Sequence, residues 1–202
     1  MDFLESSRKA LNKSAEAINN GWVVIFPTDT VYGFLADAEN KKAIEKIYKI
    51  KNRPRSKPLP VFIKDIRMAK DLAEISESQE KIINKYWFTR RSSGVGGPGA
   101  YTFVLKRKKG LKLYDGGKGT VALRIPNYKP LNDLLKKINK PLAQTSANIS
   151  GQPSSNNILN IKKVFKSQKM RPDLIISAGN LPKRKSSAII DLTQDKIKFL
   201  RK

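Results

Sequence analysis

Short apolar runs alternate along this chain with longer segments in which apolar residues recur at helical spacing. The runs 23–26 and 101–106 are rich in β-branched and aromatic residues, which predicts buried strands. Between them, the apolar residues of 42–50 recur every three or four positions, which predicts a helix. The same patterns predict helices at 3–20, 65–72, 76–86 and 130–137, and strands at 60–63, 120–125, 141–146, 174–177 and 187–192.

This alternation of strands and helices predicts an α/β fold built around one twisted sheet. Some of the predicted strands follow one another through short turns, so the sheet should be mixed. The 202 residues suffice for one hydrophobic core, and neither an internal repeat nor a long linker interrupts them. We therefore expect residues 1–202 to form a single domain.

Basic residues are in large excess, with 41 Lys and Arg against 17 Asp and Glu, which gives a net charge of +24. Such a charge attracts anionic partners, nucleotides and RNA among them, in a salt-dependent way. A genome-wide preference for lysine is an alternative source of the excess. The basic residues are interleaved with apolar ones and are not gathered in a tail.

The composition excludes several kinds of chemistry. With no Cys and no His there is no disulfide framework, no thiolate metal site and no Ser-His-Asp triad. Reactions must use Lys, Arg, Ser, Thr, Asp, backbone groups, or a metal carried by substrate phosphates. No apolar run approaches the roughly 20 residues that span a bilayer, and the N-terminal segment lacks a signal-peptide core, so we expect a cytoplasmic protein without membrane contact.

Two polar segments lie beside predicted buried strands. The turn Thr28-Asp29-Thr30 follows the strand 23–26, and Gly33 leaves room there for a ligand or a positive φ angle. The basic segment after the helix 42–50 is stiffened by prolines, and its cations are Lys49, Lys51, Arg53, Arg55 and Lys57. A helix cap followed by a solvated loop is the plain alternative, but the two segments together indicate an anion site.

Three further features are candidates for a ligand site. Arg124 ends an otherwise apolar strand and needs an anionic partner, from the protein or from a ligand. The loop 146–154 is rich in Ser, Asn and Gly, and a turn that caps the next helix is its alternative interpretation. The glycines of 116–119 lack the spacing of a phosphate loop, so we interpret them as a hairpin turn.

The motifs PTDTVYG, KNRP and KPLPVFI, together with the pairs Lys51-x-Arg53 and Ser146-x-Asn148, resemble the YrdC-like family of threonylcarbamoyl-AMP synthases. The resemblance runs from about residue 14 to residue 201 and matches the short form of the family, without a further C-terminal domain. It implies a twisted, mixed, open sheet flanked by helices, with a positively charged central cavity.

The resemblance also implies a reaction. Members of the family join L-threonine, bicarbonate and ATP into threonylcarbamoyl-AMP and release pyrophosphate, and the product modifies the adenosine next to the anticodon of tRNA. Mg²⁺ would arrive with ATP, with no tightly bound metal on the protein. Expected partners are these substrates, tRNA or other RNA, and the proteins that transfer the product to tRNA. A non-catalytic protein of the same fold that binds double-stranded RNA or tRNA is the alternative.

Site residues follow from the resemblance position by position. Lys51 and Arg53 are the expected catalytic residues, because fixed cations stabilise charge on transferring phosphates. Threonine would be bound by Thr28, Arg124 and Ser187. The expected ATP-binding residues are Lys51, Arg53, Arg55, Thr120, Ser146, Asn148, Ser154 and Arg201.

The chain departs from the family pattern at two places. The residues before Ser187 read KRKS where an apolar and acidic sequence is usual. Residues 88–97 separate Trp87 from Pro98-Gly99, which usually follow it directly. Their Ser, Gly and Arg content predicts a flexible insertion.

Overall fold

The computed structural model describes residues 1–88, 101–194 and 197–201. The insertion predicted at 88–97 lies outside these residues except for Phe88, which is the last residue of a helix. Of the described helices, none has the length and apolar character needed to cross a bilayer.

The described residues form six helices and ten strands, numbered here in chain order. The helices are α1 (Arg8–Asn19), α2 (Lys41–Lys51), α3 (Ile66–Leu72), α4 (Glu77–Phe88), α5 (Lys129–Ile138) and α6 (Ile158–Lys166). The strands are β1 (Asp2–Glu5), β2 (Val24–Phe26), β3 (Gly33–Asp37), β4 (Val61–Phe62), β5 (Tyr101–Lys106), β6 (Thr120–Arg124), β7 (Leu142–Ser146), β8 (Leu174–Ser177), β9 (Ala188–Asp191) and β10 (Lys198–Arg201).

All of these strands belong to one sheet in the order β1-β8-β2-β3-β7-β4-β6-β5-β9-β10. The neighbours β1 and β8, β8 and β2, β4 and β6, and β5 and β9 are parallel. The other neighbours are antiparallel. The prediction of a single α/β domain with a mixed, open sheet is therefore confirmed.

Helices cover the sheet unequally on its two faces. One face packs against α1 and α5, and the side chains of Phe26, Leu35 and Phe62 belong to this smaller core. The other face packs against α2, α3, α4 and α6 in the larger core. Because strand residues alternate between faces, Ile25 joins the larger core while its neighbour Phe26 joins the smaller one.

The strands β5, β6 and β9 contribute only one of their faces to a core. Phe103, Leu123 and Ile190 belong to the larger core. The intervening residues Thr102 and Ala122 point to the opposite face, which α1 and α5 leave open. This open half of the sheet forms the floor of the candidate site.

Asparagines define both ends of α2 and so fix where the basic segment begins. The side chain of Asn40 accepts the N–H of Ala43 at 3.1 Å and caps the first turn. Asn52 takes a left-handed conformation, with φ of 51°, and ends the helix after Lys51. The chain therefore turns sharply between Lys51 and Arg53.

Three strands were not predicted from the sequence: β1, β3 and β10. The prediction of one helix over 3–20 is wrong for its first residues, because 2–5 form β1 and α1 begins at Arg8 with Ser7 as its cap. Gly33 was interpreted as part of the turn and no strand was predicted at 34–37, but residues 33–37 form β3, which is buried throughout. Gly33 accordingly lies in a strand, and a Cβ there would lie 3.3 Å from the carbonyl oxygen of Thr145.

The segment 107–119 connects two antiparallel strands, β5 and β6. The glycines of 116–119 lie in this connection and no helix follows them, as the hairpin interpretation requires. Gly116 and Gly119 have φ angles of 87° and 71°, which favour glycine over other residues.

Candidate functional site

A cavity of about 400 Å³ lies on the open face of the sheet, and we call it the central cavity. Residues from β5, β6, β7, β9 and β10 contribute to its walls, together with the turn after β2 and the basic segment after α2. Its polar lining residues are Thr30, Arg53, Thr102, Arg124, Gln144, Thr145, Ser146, Ser186, Ser187 and Arg201.

A buried ion pair contributes one of its members, Arg124, to the wall of the central cavity. Nη2 of Arg124 lies 2.8 Å from Oδ1 of Asp29, and both side chains are 4% exposed. The second carboxylate oxygen of Asp29 accepts the N–H of Asn127 at 2.9 Å. Burial lowers the pKa of Arg124, and the attraction of Asp29 opposes that shift.

Arg124 keeps unused hydrogen-bonding capacity. Its Nε is buried and has no hydrogen-bond partner among the described residues. The guanidinium also lies over the ring of Phe62, 5.5 Å from its centroid. The sequence required an anionic partner for Arg124, and the structure supplies Asp29 from the turn that follows β2.

The turn after β2 is held by hydrogen bonds within itself. The hydroxyl of Thr28 donates to the carbonyl oxygen of Val31 at 2.6 Å and accepts the N–H of Thr30 at 3.1 Å. Thr28 is buried and lines a separate small cavity of about 50 Å³. Thr30 lines both that cavity and the central one, so the turn presents Thr30 to the larger space.

Lys51 is buried at the C-terminus of α2, with 2% of its surface exposed. Its Nζ donates to the carbonyl oxygens of Ser146 and Asn148, at 2.5 and 2.8 Å, and to Oδ1 of Asn148 at 2.9 Å. Burial, together with the nearby charge of Arg53, lowers the pKa of Lys51 to about 7. In this structure, Lys51 therefore holds the loop that begins at the end of β7.

The side chains of that loop form a small network. The hydroxyl of Ser146 donates to Oδ1 of Asn148 at 2.6 Å. Nδ2 of Asn148 donates to the carbonyl oxygens of Ile149 and Gln152, at 3.1 and 2.5 Å. Ser146 lines the central cavity, while Asn148 fixes the loop behind it.

The two arginines of the basic segment have different surroundings. Arg53 lines the central cavity, and its Nε and Nη2 donate to the carbonyl oxygens of Lys57 and Pro58 at 3.0 and 2.9 Å. Burial lowers the pKa of Arg53. Arg55 is exposed and stacks over the ring of Tyr48, 4.6 Å from its centroid.

The opposite wall joins β5, β9 and β10 through Ser187. Its hydroxyl lies 2.9 Å from that of Thr102, and its carbonyl oxygen accepts hydrogen bonds from Nε and Nη2 of Arg201 at 2.9 and 2.7 Å. Ser187 is buried, and burial lowers the pKa of Arg201. Arg53 and Arg201 thus line the same cavity with cations that have no carboxylate partner among its described lining residues.

The structure brings only part of the expected site together. Arg53, Arg124, Ser146, Ser187 and Arg201 line the central cavity. The remaining candidates lie around it. Thr120 lies at the other end of β6 from Arg124, on the same face of the strand. Ser154 lines an adjoining cavity of about 520 Å³. The positions of the other four candidates are given above: Lys51, Asn148, Thr28 and Arg55.

Sequence reasoning missed several residues in the cavity wall or directly behind it. Asp29 belonged to the Thr-rich turn but received no role, although it is the partner of Arg124. Thr102 and Gln144 lie in strands and were treated as strand residues only. The alternation of side chains along a strand could have indicated Thr102. It lies between two apolar residues of β5 that join the larger core, so its own side chain must point to the other face of the sheet.

The described residues contain no group of three or more Asp or Glu side chains that could hold a metal ion. The residues found to line the central cavity include no carboxylate. Polar groups of the cavity are instead hydroxyls, amides and guanidinium groups, which suit an anionic ligand.

Comparison with known proteins gives consistent results. The chain is 35% identical over 198 residues to a putative threonylcarbamoyl-AMP synthase of Methanocaldococcus jannaschii, covering 98% of this chain and 87% of the relative. It is 33% identical over 183 residues to the threonylcarbamoyl-AMP synthase of Pyrococcus abyssi, covering 90% of this chain. The match spans 50% of the P. abyssi protein, about half of its length.

Solved structures share the fold. The P. abyssi Sua5 structure complexed with L-threonine matches with a TM-score of 0.83 and 28% identity, over 99% of this chain and 56% of that one. E. coli YciO matches with a TM-score of 0.82 and 25% identity, over 100% of this chain and 94% of that one.

The family profile that matches spans residues 16–202 and is described as telomere recombination. This span covers most of the described strands, including every strand and turn that lines the central cavity. The chain therefore belongs to the Sua5/YciO/YrdC family.

Proposed function

We propose that this protein is a threonylcarbamoyl-AMP synthase, which makes L-threonylcarbamoyladenylate and pyrophosphate from L-threonine, bicarbonate and ATP. The product would serve the modification of the adenosine next to the anticodon of tRNA. Relatives at 35% and 33% identity carry this name, and the similar P. abyssi structure contains L-threonine.

The observation that carries the proposal is the central cavity itself. Three guanidinium groups line about 400 Å³, those of Arg53, Arg201 and Arg124, and Arg124 is paired with the buried Asp29 behind the wall. Two cations without carboxylate partners suit phosphates, and a separate buried guanidinium suits a carboxylate. An enzyme that joins a nucleotide to an amino acid needs both features in one cavity, the cations for the phosphates and the buried guanidinium for the carboxylate.

The product defines the chemistry required. The amine of threonine first forms a C–N bond with the carbon of bicarbonate, and a C–O bond of bicarbonate breaks as water leaves, which gives N-carboxythreonine. Threonylcarbamoyl-AMP is a mixed anhydride, so a carbamate oxygen of N-carboxythreonine then attacks the α-phosphorus of ATP. The bond from that phosphorus to the bridging oxygen breaks, and pyrophosphate leaves with the electron pair. Positioning of the reactants and stabilisation of charge on the phosphates can supply most of the rate enhancement. A chain without His can therefore catalyse this reaction.

Arg53 is the residue we assign to the leaving phosphates. Its guanidinium is held by the carbonyl oxygens of Lys57 and Pro58, which leaves other N–H groups for a ligand. Lys51 would act with it by fixing Ser146 at the cavity wall and by adding positive charge behind that wall. Ser146, Asn148 and Arg201 complete the nearer part of the ATP site, and Arg55, Thr120 and Ser154 its outer part.

Arg124 is the residue we assign to the threonine carboxylate. Asp29 holds the guanidinium through Nη2, and the buried Nε is free of partners within the described chain. Ser187 and the turn that contains Thr28 would bind the ammonium and hydroxyl groups of threonine. In that turn Thr30 and Val31 line the central cavity, and Thr30 supplies a hydroxyl group.

Mg²⁺ would enter as part of the substrate, bound to the phosphates of ATP. Hydroxyl groups such as that of Ser146 fit the outer sphere of a hydrated ion, since Mg²⁺ keeps several of its waters. The product would then pass to proteins that transfer the threonylcarbamoyl group to tRNA, and the net charge of +24 favours direct contact with RNA.

Threonine-dependent exchange between ATP and labelled pyrophosphate tests the proposal. We expect exchange only when threonine and bicarbonate are both present. A non-catalytic RNA-binding protein would show none, whatever its affinity for tRNA. Absence of exchange from a protein that binds ATP and threonine would overturn the assignment.

A further inference from the structure

An ion pair between the partly exposed Arg107 and the buried Asp115 lies outside the central cavity and fixes the connection between β5 and β6. Nη1 of Arg107 lies 3.1 Å from Oδ1 of Asp115, which is 1% exposed. The same Nη1 donates to the carbonyl oxygen of Leu113 at 3.0 Å, and Nη2 donates to that of Gly117. One guanidinium therefore holds three oxygens of the segment 113–117.

This connection in turn holds the basic segment that follows α2. The carbonyl oxygen of Asp115 accepts the N–H of Leu59 at 2.7 Å. The hydroxyl of Tyr48 lies 3.1 Å from that carbonyl oxygen and 3.0 Å from the carbonyl oxygen of Lys57. Tyr48 and Asp115 thus fix both sides of the short stretch 57–59.

Close packing supports the same contact. A Cβ added to Gly116 would lie 2.5 Å from the hydroxyl oxygen of Tyr48 and 3.5 Å from Cα of Pro58. Gly116 also has a φ angle of 87°, which other residues rarely adopt. The two segments approach each other at a distance that only glycine permits.

The orientation of Arg53 depends on the stretch that these contacts fix. Its Nε and Nη2 donate to the carbonyl oxygens of Lys57 and Pro58. A shift of those carbonyls would move the guanidinium within the central cavity. Arg107 and Asp115 do not line that cavity, so their effect on Arg53 must pass through the backbone of 57–59. Tyr48 acts through the same stretch and also interacts directly with the side chain of Arg53.

We propose that Tyr48 and the Arg107–Asp115 pair are positioning residues, which orient Arg53 toward the phosphates of a bound nucleotide. The inference rests on the proposed function for the identity of that nucleotide as ATP. The contacts themselves predict a specific pattern: loss of these residues should weaken nucleotide binding and leave threonine binding unchanged.

Tyr48→Phe is the sharpest variant, because it removes one hydroxyl and keeps the ring on which Arg55 stacks. We expect about fivefold weaker binding of ATP with Mg²⁺ in calorimetric titration, as one hydrogen bond is lost. The amide of Leu59 should exchange its hydrogen faster, measured by mass spectrometry. Threonine affinity should not change.

Asp115→Asn removes the charge but keeps an acceptor for Arg107, and we expect about tenfold weaker ATP binding. If this variant does not fold, Tyr48→Phe alone decides the question. The matched control is Lys140→Gln, which removes the partner of the buried Asp37, 2.7 Å away, at a site outside the central cavity. It should lower stability without changing ATP affinity or exchange at Leu59.

Two results would overturn the inference. One is unchanged ATP affinity and unchanged exchange at Leu59 in Tyr48→Phe. The other is an equal loss of ATP and threonine affinity, or the same loss in the Lys140→Gln control, since either shows a general effect on folding. A wild-type protein that binds ATP but forms no adduct would overturn the proposed function and leave this test intact.

Discussion

Neutralising Asp29 and Arg124 together should weaken threonine binding strongly while the protein stays folded. Their side chains are 4% exposed and 2.8 Å apart. Removing Arg124 alone leaves a buried carboxylate without its counter-ion, which costs about 3–5 kcal/mol. Since a domain is stable by only about 5–15 kcal/mol, Arg124→Ala would confuse loss of fold with loss of binding.

The double variant Asp29→Asn with Arg124→Met avoids this difficulty. It removes both charges, keeps side chains of similar volume, and leaves position 29 with an oxygen acceptor for the N–H of Asn127. Because the desolvation cost disappears together with the attraction, we expect unfolding free energy within about 1–2 kcal/mol of the wild type. Loss of the carboxylate clamp should weaken threonine binding by about 3 kcal/mol, about a hundredfold.

Urea unfolding measures the stability of the double variant and of both single variants, which completes the double-mutant cycle. Calorimetric titration then gives the affinities for threonine and for ATP separately. Threonine affinity equal to that of the wild type would refute the clamp and direct attention to Lys183 and Arg184 before Ser187. An equal loss of both affinities would show that the pair holds the whole cavity.

Three further predictions concern the same cavity. Arg53→Ala should lower the rate of pyrophosphate release by about a hundredfold, equivalent to about 2–3 kcal/mol, and a nearly normal rate would remove Arg53 from the catalytic site. Burial lowers the pKa of Lys51 from 10.5 to about 7. Between pH 7 and 10, Lys51 is protonated in the unfolded state and largely deprotonated in the folded state, so its contribution to the unfolding free energy should increase with pH. This contribution is the unfolding free energy of the wild type minus that of Lys51→Met, and a difference that does not change with pH would contradict the prediction. Serine should remain a detectable but poorer substrate, by about 10–200-fold in kcat/KM, because it lacks one methyl group.

Periodicity predicted most of the sheet because most strands carry their own signal. The strands β5 and β8 were predicted with their observed bounds, 101–106 and 174–177. β1 was not predicted, because its four residues pair with β8 more than 170 positions away and resemble the start of the following helix. β3 was not predicted, because its sequence GFLAD has only three consecutive apolar residues and no β-branched residue, unlike the run 23–26.

The site was predicted less completely than the fold, and the reason is distance along the chain. The sequence indicated that Arg124 needs an anion, but its partner Asp29 lies 95 residues earlier. The contact of Lys51 with ATP stays a prediction, and the sequence did not indicate that its Nζ donates to three oxygens of Ser146 and Asn148, 95 and 97 residues later. Such contacts depend on strand order, and no local pattern encodes strand order.

The most direct test of the central claim is to follow one carbon atom. Wild-type protein is incubated with ATP, Mg²⁺, L-threonine and bicarbonate labelled with a heavy carbon isotope. The nucleotides are then separated and their masses are measured by mass spectrometry. We predict an adduct of AMP and threonine that carries the labelled carbon and requires all three substrates. ATP that remains intact, or AMP without the labelled carbon, would contradict the proposed function.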